Sequence, residues 1–122
     1  MTTETSLFEI VEASLERVWN ERDDTRRLAA LAELYRRDAV LYEPDNVVTG
    51  IDAISATVAR VLAELPSGFR FAIAAPPVGH HGLAVARWQG GPDGTVIVTG
   101  SDVARIEDGQ IAELHVFFDP AP

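Results

Sequence analysis

Apolar and polar residues along this chain change their spacing at Gly68, from a helical period before it to a period of two after it. In "TSLFEIVEASLERVWNERDD" (5–24), Leu7, Phe8, Val11, Leu15, Val18 and Trp19 share one helical face, and Glu9, Glu12 and Glu16 the other. "TRRLAALAELYRRDA" (25–39) repeats the pattern with Leu28, Leu31, Ala32 and Tyr35. A second helix is therefore predicted through Tyr35, with Glu33 and Arg37 paired one turn apart on its surface. A short strand, "AVLYE" (39–43), follows. The third helix lies in "TGIDAISATVARVLAELPSG" (49–68), where Ile51, Ile54, Val58, Val61, Leu62 and Leu65 form the apolar stripe. Thr49 and Asp52 supply a helix-start signal, and Pro66 with Gly68 a stop.

Beyond Gly68, "FRFAIAA", "GLAVARWQ", "TVIVTGSDVARI" and "QIAELHVFFD" alternate as strands, separated by "PPVGHHG", "GGPDG" and "EDG". The last two are short glycine-containing connections of the kind that join antiparallel neighbours. The order helix, helix, strand, helix, then an antiparallel meander of four strands is α+β, with helices on one face of a sheet. "VIV" and "HVFF" are apolar on both faces, whereas a sheet wet on one side alternates more cleanly. A second copy of the chain is the expected cover for the outer face, giving a homodimer.

With 122 residues the chain reads as one domain, 1–122, large enough for a single core. No apolar run approaches the roughly 20 residues of a membrane span. The N-terminal stretch has neither the basic segment nor the apolar core of a signal peptide, so a cytoplasmic location is expected. The absence of cysteine excludes disulfides and thiolate chemistry. All ten cations are arginine, which excludes a lysine Schiff base. A net charge of -9 argues against a nucleic-acid partner, whose phosphates call for cations. There is no metal-ligand spacing, no glycine-rich phosphate loop and no nucleophile elbow, so neither metal nor cofactor is expected.

Two acids stand out. Glu43 closes the first strand, and Pro44 after it keeps Glu43 in extended geometry, either at the surface or aimed into a cavity. Asp102 lies mid-strand on the face shared by Val98, Gly100, Ala104 and Ile106. An acid there is functional, held by a structural hydrogen bond, or turned outward. If both acids share one apolar cavity, desolvation and repulsion raise at least one pKa, which suits acid/base work. His80 and His81 fall in a loop, and His115 alternates outward with its strand.

The element order, with "VWNERDD…LAELYRRDAVLYEP…GIDAI" and "TGSDVARIEDGQIAELHVFFDP", resembles the nuclear transport factor 2-like superfamily, in particular its SnoaL-like and ketosteroid-isomerase-like branch. The resemblance runs from about Leu7 to Pro120. It implies a cone-shaped barrel, the NTF2-like or cystatin-like fold, in which a curved, mainly antiparallel sheet wraps three N-terminal helices around one apolar pocket. It further implies that Glu43 matches the proton-shuttling base and Asp102 the acid that hydrogen-bonds the substrate oxyanion. The family's helix-one tyrosine aligns with about Leu15, and no tyrosine lies nearby. The expected pocket walls are Leu15, Trp19, Val58, Leu62, Ala84, Ala86, Trp88, Leu114, Val116 and Phe118, with space left by the small residues Ala84, Ala86 and Gly100.

The expected activity is cofactor-independent proton transfer of the isomerase, cyclase or dehydratase type on a small apolar carbonyl compound. The alternatives are a non-catalytic small-molecule-binding or dimerisation module and, below it, an epoxide hydrolase. The last would need an Asp-Arg-Asp relay, and Arg87 and Arg105 are expected to face away from the pocket.

Overall fold

The computed structural model describes the backbone of residues 4–120 and the side chains of residues 7–120. Helix α1 (Glu4–Ser14) continues into a π-helical turn, Leu15–Trp19, a wide turn that is common beside functional sites. Helix α2 (Asp24–Leu34) starts at Asp23, whose carboxylate accepts the Arg26 backbone N–H at 2.9 Å. Strand β1 (Tyr35–Glu43) follows without a loop, then β2 (Asn46–Thr49), α3 (Ile51–Ala63), β3 (Phe69–Ile73), β4 (Val78–His80), β5 (Leu83–Pro92), β6 (Val98–Glu107) and β7 (Gln110–Phe118).

The strands form one sheet in the order β2-β1-β7-β6-β5-β3, with β4 paired to the start of β5. Every pairing is antiparallel except β1 with β7. The curved, unclosed sheet wraps around three helices, the expected α+β cone. Two register shifts bend the same end: Tyr35 and Val40 of β1 pair with Ile111 and Glu113, and β6 slips between Arg105 and Ile106. Tyr35, Ile106 and Ile111 meet there and, with Val18, Leu31, Ile54 and Leu114, fill the narrow end of the cone.

Four local readings of the sequence are corrected. Helix α2 stops at Leu34, and Tyr35 is the first residue of β1, because its pairing with Ile111 and the burial of its ring outweigh helical spacing. The displaced Arg36 then reaches Asp38, Glu107 and Asp108, while Glu33 pairs with Arg17 instead of Arg37. "NVVT" is strand β2. Thr49 therefore ends a strand and caps nothing; α3 starts at Gly50, whose φ of 94° turns the chain. "VGH" is strand β4, joined to β5 by His81 and Gly82, both at positive φ as a two-residue hairpin requires.

Polar latches hold the helices to the sheet and to one another. Arg27 is 1% exposed, donating to Ser55 Oγ at 3.0 Å and the Glu21 carbonyl at 2.7 Å while pairing with Asp24. Arg22 donates to the Leu62 and Pro66 carbonyls. The Asn20 side chain bonds both the N–H and the C=O of Phe71 at 2.8 Å, like an extra residue of strand. Arg27→Met would keep most of the volume but leave Ser55 and the Glu21 carbonyl without their donor. It should cost about 3 kcal/mol in urea unfolding; a loss under 0.5 kcal/mol would show that the latch carries no stability.

Candidate functional site

At the wide end of the cone the helices leave a cavity of about 290 Å³, near the lower limit for small-molecule sites. Leu15 and Trp19 reach it from the π-helical turn, and Val61 and Leu65 from α3. Phe69, Phe71, Trp88, Ile97, Val98, Val116 and Phe118 complete the apolar wall from the sheet side. The aromatic rings meet edge to face: Phe71 on Phe69 at 5.0 Å, on Trp88 at 5.4 Å and on Trp19 at 6.4 Å, and Trp88 on Phe118 at 5.7 Å. Among the described residues, Glu43 and Asp102 are the only ionisable side chains in the lining.

Glu43 enters as the last residue of β1, paired with Asn46 at the turn into β2. Asp102 is held in the middle of β6, between Ala86 of β5 and Val116 of β7, and is 7% exposed. One of its oxygens, Oδ1, accepts the indole N–H of Trp88 at 2.9 Å. Burial pushes its carboxyl up to about 7, with the Trp88 hydrogen bond pulling the other way. Nearby, Tyr35 and Ser14 share a buried hydrogen bond of 2.6 Å. Burial first, and then the charge of Asp102, raise the Tyr35 phenol, with Ser14 and Trp19 partly offsetting them, so it stays neutral.

Of the expected wall residues, Leu15, Trp19, Trp88, Val116 and Phe118 line the cavity. Val58, Leu62, Ala84, Ala86 and Leu114 are corrected to core positions. On α3, Val61 and Leu65 face the cavity, while Val58 and Leu62 lie in the hydrophobic core. Ala84 and Leu114 flank Ala104, one layer nearer the narrow end than Asp102, and Ala86 is covered beside Asp102. Gly100 leaves no free volume either, because the Phe117 carbonyl and the Trp88 ring occupy it. Phe69 and Phe71 were detectable as alternate positions of one strand; Ile97 and Val98 were hidden within the apolar run "TVIV".

None of the three histidines lines this cavity. His80 and His81 are exposed with their Nδ1 atoms 2.7 Å apart, and His115 stacks on Tyr42 at 4.3 Å on the outer sheet face. Among the described residues there is no group of three or more His, Asp or Glu able to hold a metal, and no helix long and apolar enough to cross a membrane.

The SnoaL-like domain model matches residues 11–114, nearly the whole of this cone and both acids. The chain belongs to the SnoaL-like family. A protein from Agrobacterium tumefaciens, provisionally named an isomerase of that family, is 27% identical, with 95% of this chain and 99% of that one covered at a TM-score of 0.87. A provisionally named SnoaL-like polyketide cyclase from Jannaschia shares 18% identity over 95% and 87% at a TM-score of 0.79. A provisionally named ketosteroid isomerase from Kribbella flavida shares 14% over 100% and 84% at 0.76. These last two likenesses establish the fold alone. No curated protein matches the chain in sequence.

The raised carboxyl of this SnoaL-like protein has a stability consequence. Because the folded value of about 7 exceeds the unfolded value of 3.8, the folded state holds this proton more tightly. That contribution is fully present below about pH 4 and is lost as pH rises through about 7, with a ceiling of roughly 4 kcal/mol. Asp102→Asn, which cannot ionise but can still accept from Trp88, should therefore melt higher than the wild type at pH 8. Thermal melts should show that gain vanish near pH 4; an equal effect at both pH values would mean that Asp102 does not titrate abnormally.

Proposed function

We propose that this protein catalyses cofactor-independent proton transfer on a small, largely apolar carbonyl compound. The supporting observation is that two carboxyl groups are, among the described residues, the sole ionisable side chains lining an apolar cavity, one of them buried enough to be raised to about 7. Glu43 removes a proton from the carbon next to the carbonyl, and the electron pair moves onto the carbonyl oxygen. Asp102, in its acid form, donates a hydrogen bond to the oxygen as negative charge develops there. Glu43 then returns the proton to the same or a conjugated carbon, which covers isomerisation and, with an internal electrophile, cyclisation. The apolar wall keeps water from competing for the carbanion.

A binding module without turnover is the second reading. It is favoured by Leu15, an apolar residue in the wall where the family's helix-one tyrosine aligns. Deuterium uptake separates the two: small cyclic and β,γ-unsaturated ketones incubated with the protein in heavy water should exchange their α-protons faster than in buffer. Glu43→Gln should lower that rate by roughly two to four orders of magnitude. Asp102→Asn should lose less than Asp102→Ala, because an amide still donates a hydrogen bond. Binding of these ketones without any exchange would select the non-catalytic reading.

The outer sheet face supports a homodimer as the working unit. Phe117 is 54% exposed, and with Tyr42, Val85, Val103, His115 and the exposed Leu83 and Val78 it forms an apolar surface. Sedimentation at micromolar concentration should give about twice the 13.2 kDa chain mass, and Phe117→Asp should shift it to one chain. A wild type that sediments as one chain would refute the dimer.

A further inference from the structure

A carboxyl group can act as a hydrogen-bond donor from only one of its two oxygens, and the surroundings of Asp102 select which. The partner of Oδ1 is the Trp88 indole N–H, a group that donates and cannot accept. Asp102 has no second hydrogen bond among the described residues. Among the described residues, the one sealed side-chain polar atom without a partner is Trp19 Nε1; Asp102 Oδ2 is unpartnered but not sealed, so it opens to the cavity that Asp102 lines.

The indole is fixed in place by the fold. Trp88 stands opposite Gly100 in the β5–β6 register, diagonal to Asp102. A Cβ at position 100 would lie 2.2 Å from the Phe117 carbonyl oxygen and 2.4 Å from the ring's Cζ2, so the β7 backbone and the ring together occupy the space that a side chain would fill. Phe71 and Phe118 pack on the ring edge to face at 89° and 87°.

We propose that Trp88 is a positioning residue: its indole N–H fixes Asp102 Oδ1 as an acceptor and so makes Oδ2 the oxygen that presents the proton to a ligand. Its catalytic consequence rests on the donor role given to Asp102 above, whereas the hydrogen bond and the side of protonation do not. The other titratable groups near Asp102 are Glu43, in the same cavity lining, and the neutral Tyr35. The charged side chains of the neighbouring strands, Arg87, Arg105, Glu113, His115 and Asp119, pair or stack among themselves or with Tyr42 and lie outside the cavity lining.

The chain contains two tryptophans, so an amide-optimised nitrogen–proton spectrum of the wild type holds two indole signals, assigned with Trp19→Phe. As pH rises through about 7, the Trp88 N–H signal should move downfield with the same midpoint as the carboxyl carbon of Asp102 in protein labelled at aspartate. In Trp88→Phe, which keeps a ring and removes the donor, that midpoint should rise by about one pH unit, since the carboxylate loses its only hydrogen bond. If Trp88→Phe folds poorly, the wild-type titration decides alone, because it compares the Trp88 N–H signal with the Asp102 carboxyl carbon and needs no variant at Trp88. For ketone exchange, Trp88→Phe should lower kcat with little change in KM and move the basic limb of the pH profile upward by the same unit. An indole signal that stays still while Asp102 titrates, or a midpoint unmoved by Trp88→Phe, would overturn the proposal. If the wild type exchanges no ketone, the catalytic reading falls, and the two spectroscopic titrations still decide the role of Trp88.

Discussion

An acid buried among aromatic rings has to be compensated or neutralised, and that requirement organises the wide end of this cone. Asp102 cannot swing to solvent, because β5 and β7 hydrogen-bond its strand on both sides. The fold gives it one donor, Trp88, and no cation. One neutral hydrogen bond falls short of the hydration it replaces, so the carboxyl settles near neutrality instead of at its ordinary acidity. Gly100, Phe71 and Phe118 follow from the same requirement, since the donor is useful only if a large ring can lie flat against β6 and stay there.

The cavity persists because the helices are fastened at points other than the space they leave empty. Arg27 joins α2 to α3 and to the turn before α2, Arg22 ties that turn to the end of α3, and Asn20 splices the end of the first helical segment onto β3. Each latch satisfies backbone carbonyls or buried hydroxyls that would otherwise be stranded at a helix end. The apolar contact forgone in the cavity lowers stability, as an unfilled core volume does. The polar latches at its rim offset part of that loss and keep Phe71 and Leu65 in the wall.

The sequence made the architecture legible and left the site half-legible, for reasons that differ residue by residue. Helical and strand periods are long-range averages, and three helices followed by a meander survive errors of a few residues at their ends. Tyr35 was misplaced because its helical spacing is genuine, and only pairing with Ile111, 76 positions away, converts it to strand. The β4 hairpin was missed because His81 stands where asparagine or glycine normally signals a two-residue turn. Asp102 was recognisable as an acid on an apolar strand face, and Glu43 as the residue ahead of a proline. Which apolar residues touch the cavity was not recoverable from period alone: Val61 and Leu62 sit side by side in one stripe, and a single helical step separates wall from core. Nor could the pattern show that Gly100 is filled by Trp88, since a glycine opposite a tryptophan reads equally as empty space.

Membership of the SnoaL-like family leaves the ligand open, and the charge distribution narrows it. The lining holds two carboxyl groups and no arginine or histidine. The arginines of β3, β5 and β6 are engaged outside the cavity: Arg87 with Asp119, Arg105 with Glu113 and Glu107, Arg70 with Glu16. A ligand bringing a phosphate or carboxylate into this cavity would lose its hydration and meet Glu43 with no cation to offset either cost, a penalty of several kcal/mol at low dielectric. A neutral ligand escapes that penalty, and in the proton transfer proposed above its carbonyl oxygen accepts from the protonated Asp102. Under that proposal the developing charge of an enolate is stabilised only while Asp102 keeps its proton, so the burial that makes the acid costly would also tie its chemistry to a neutral substrate.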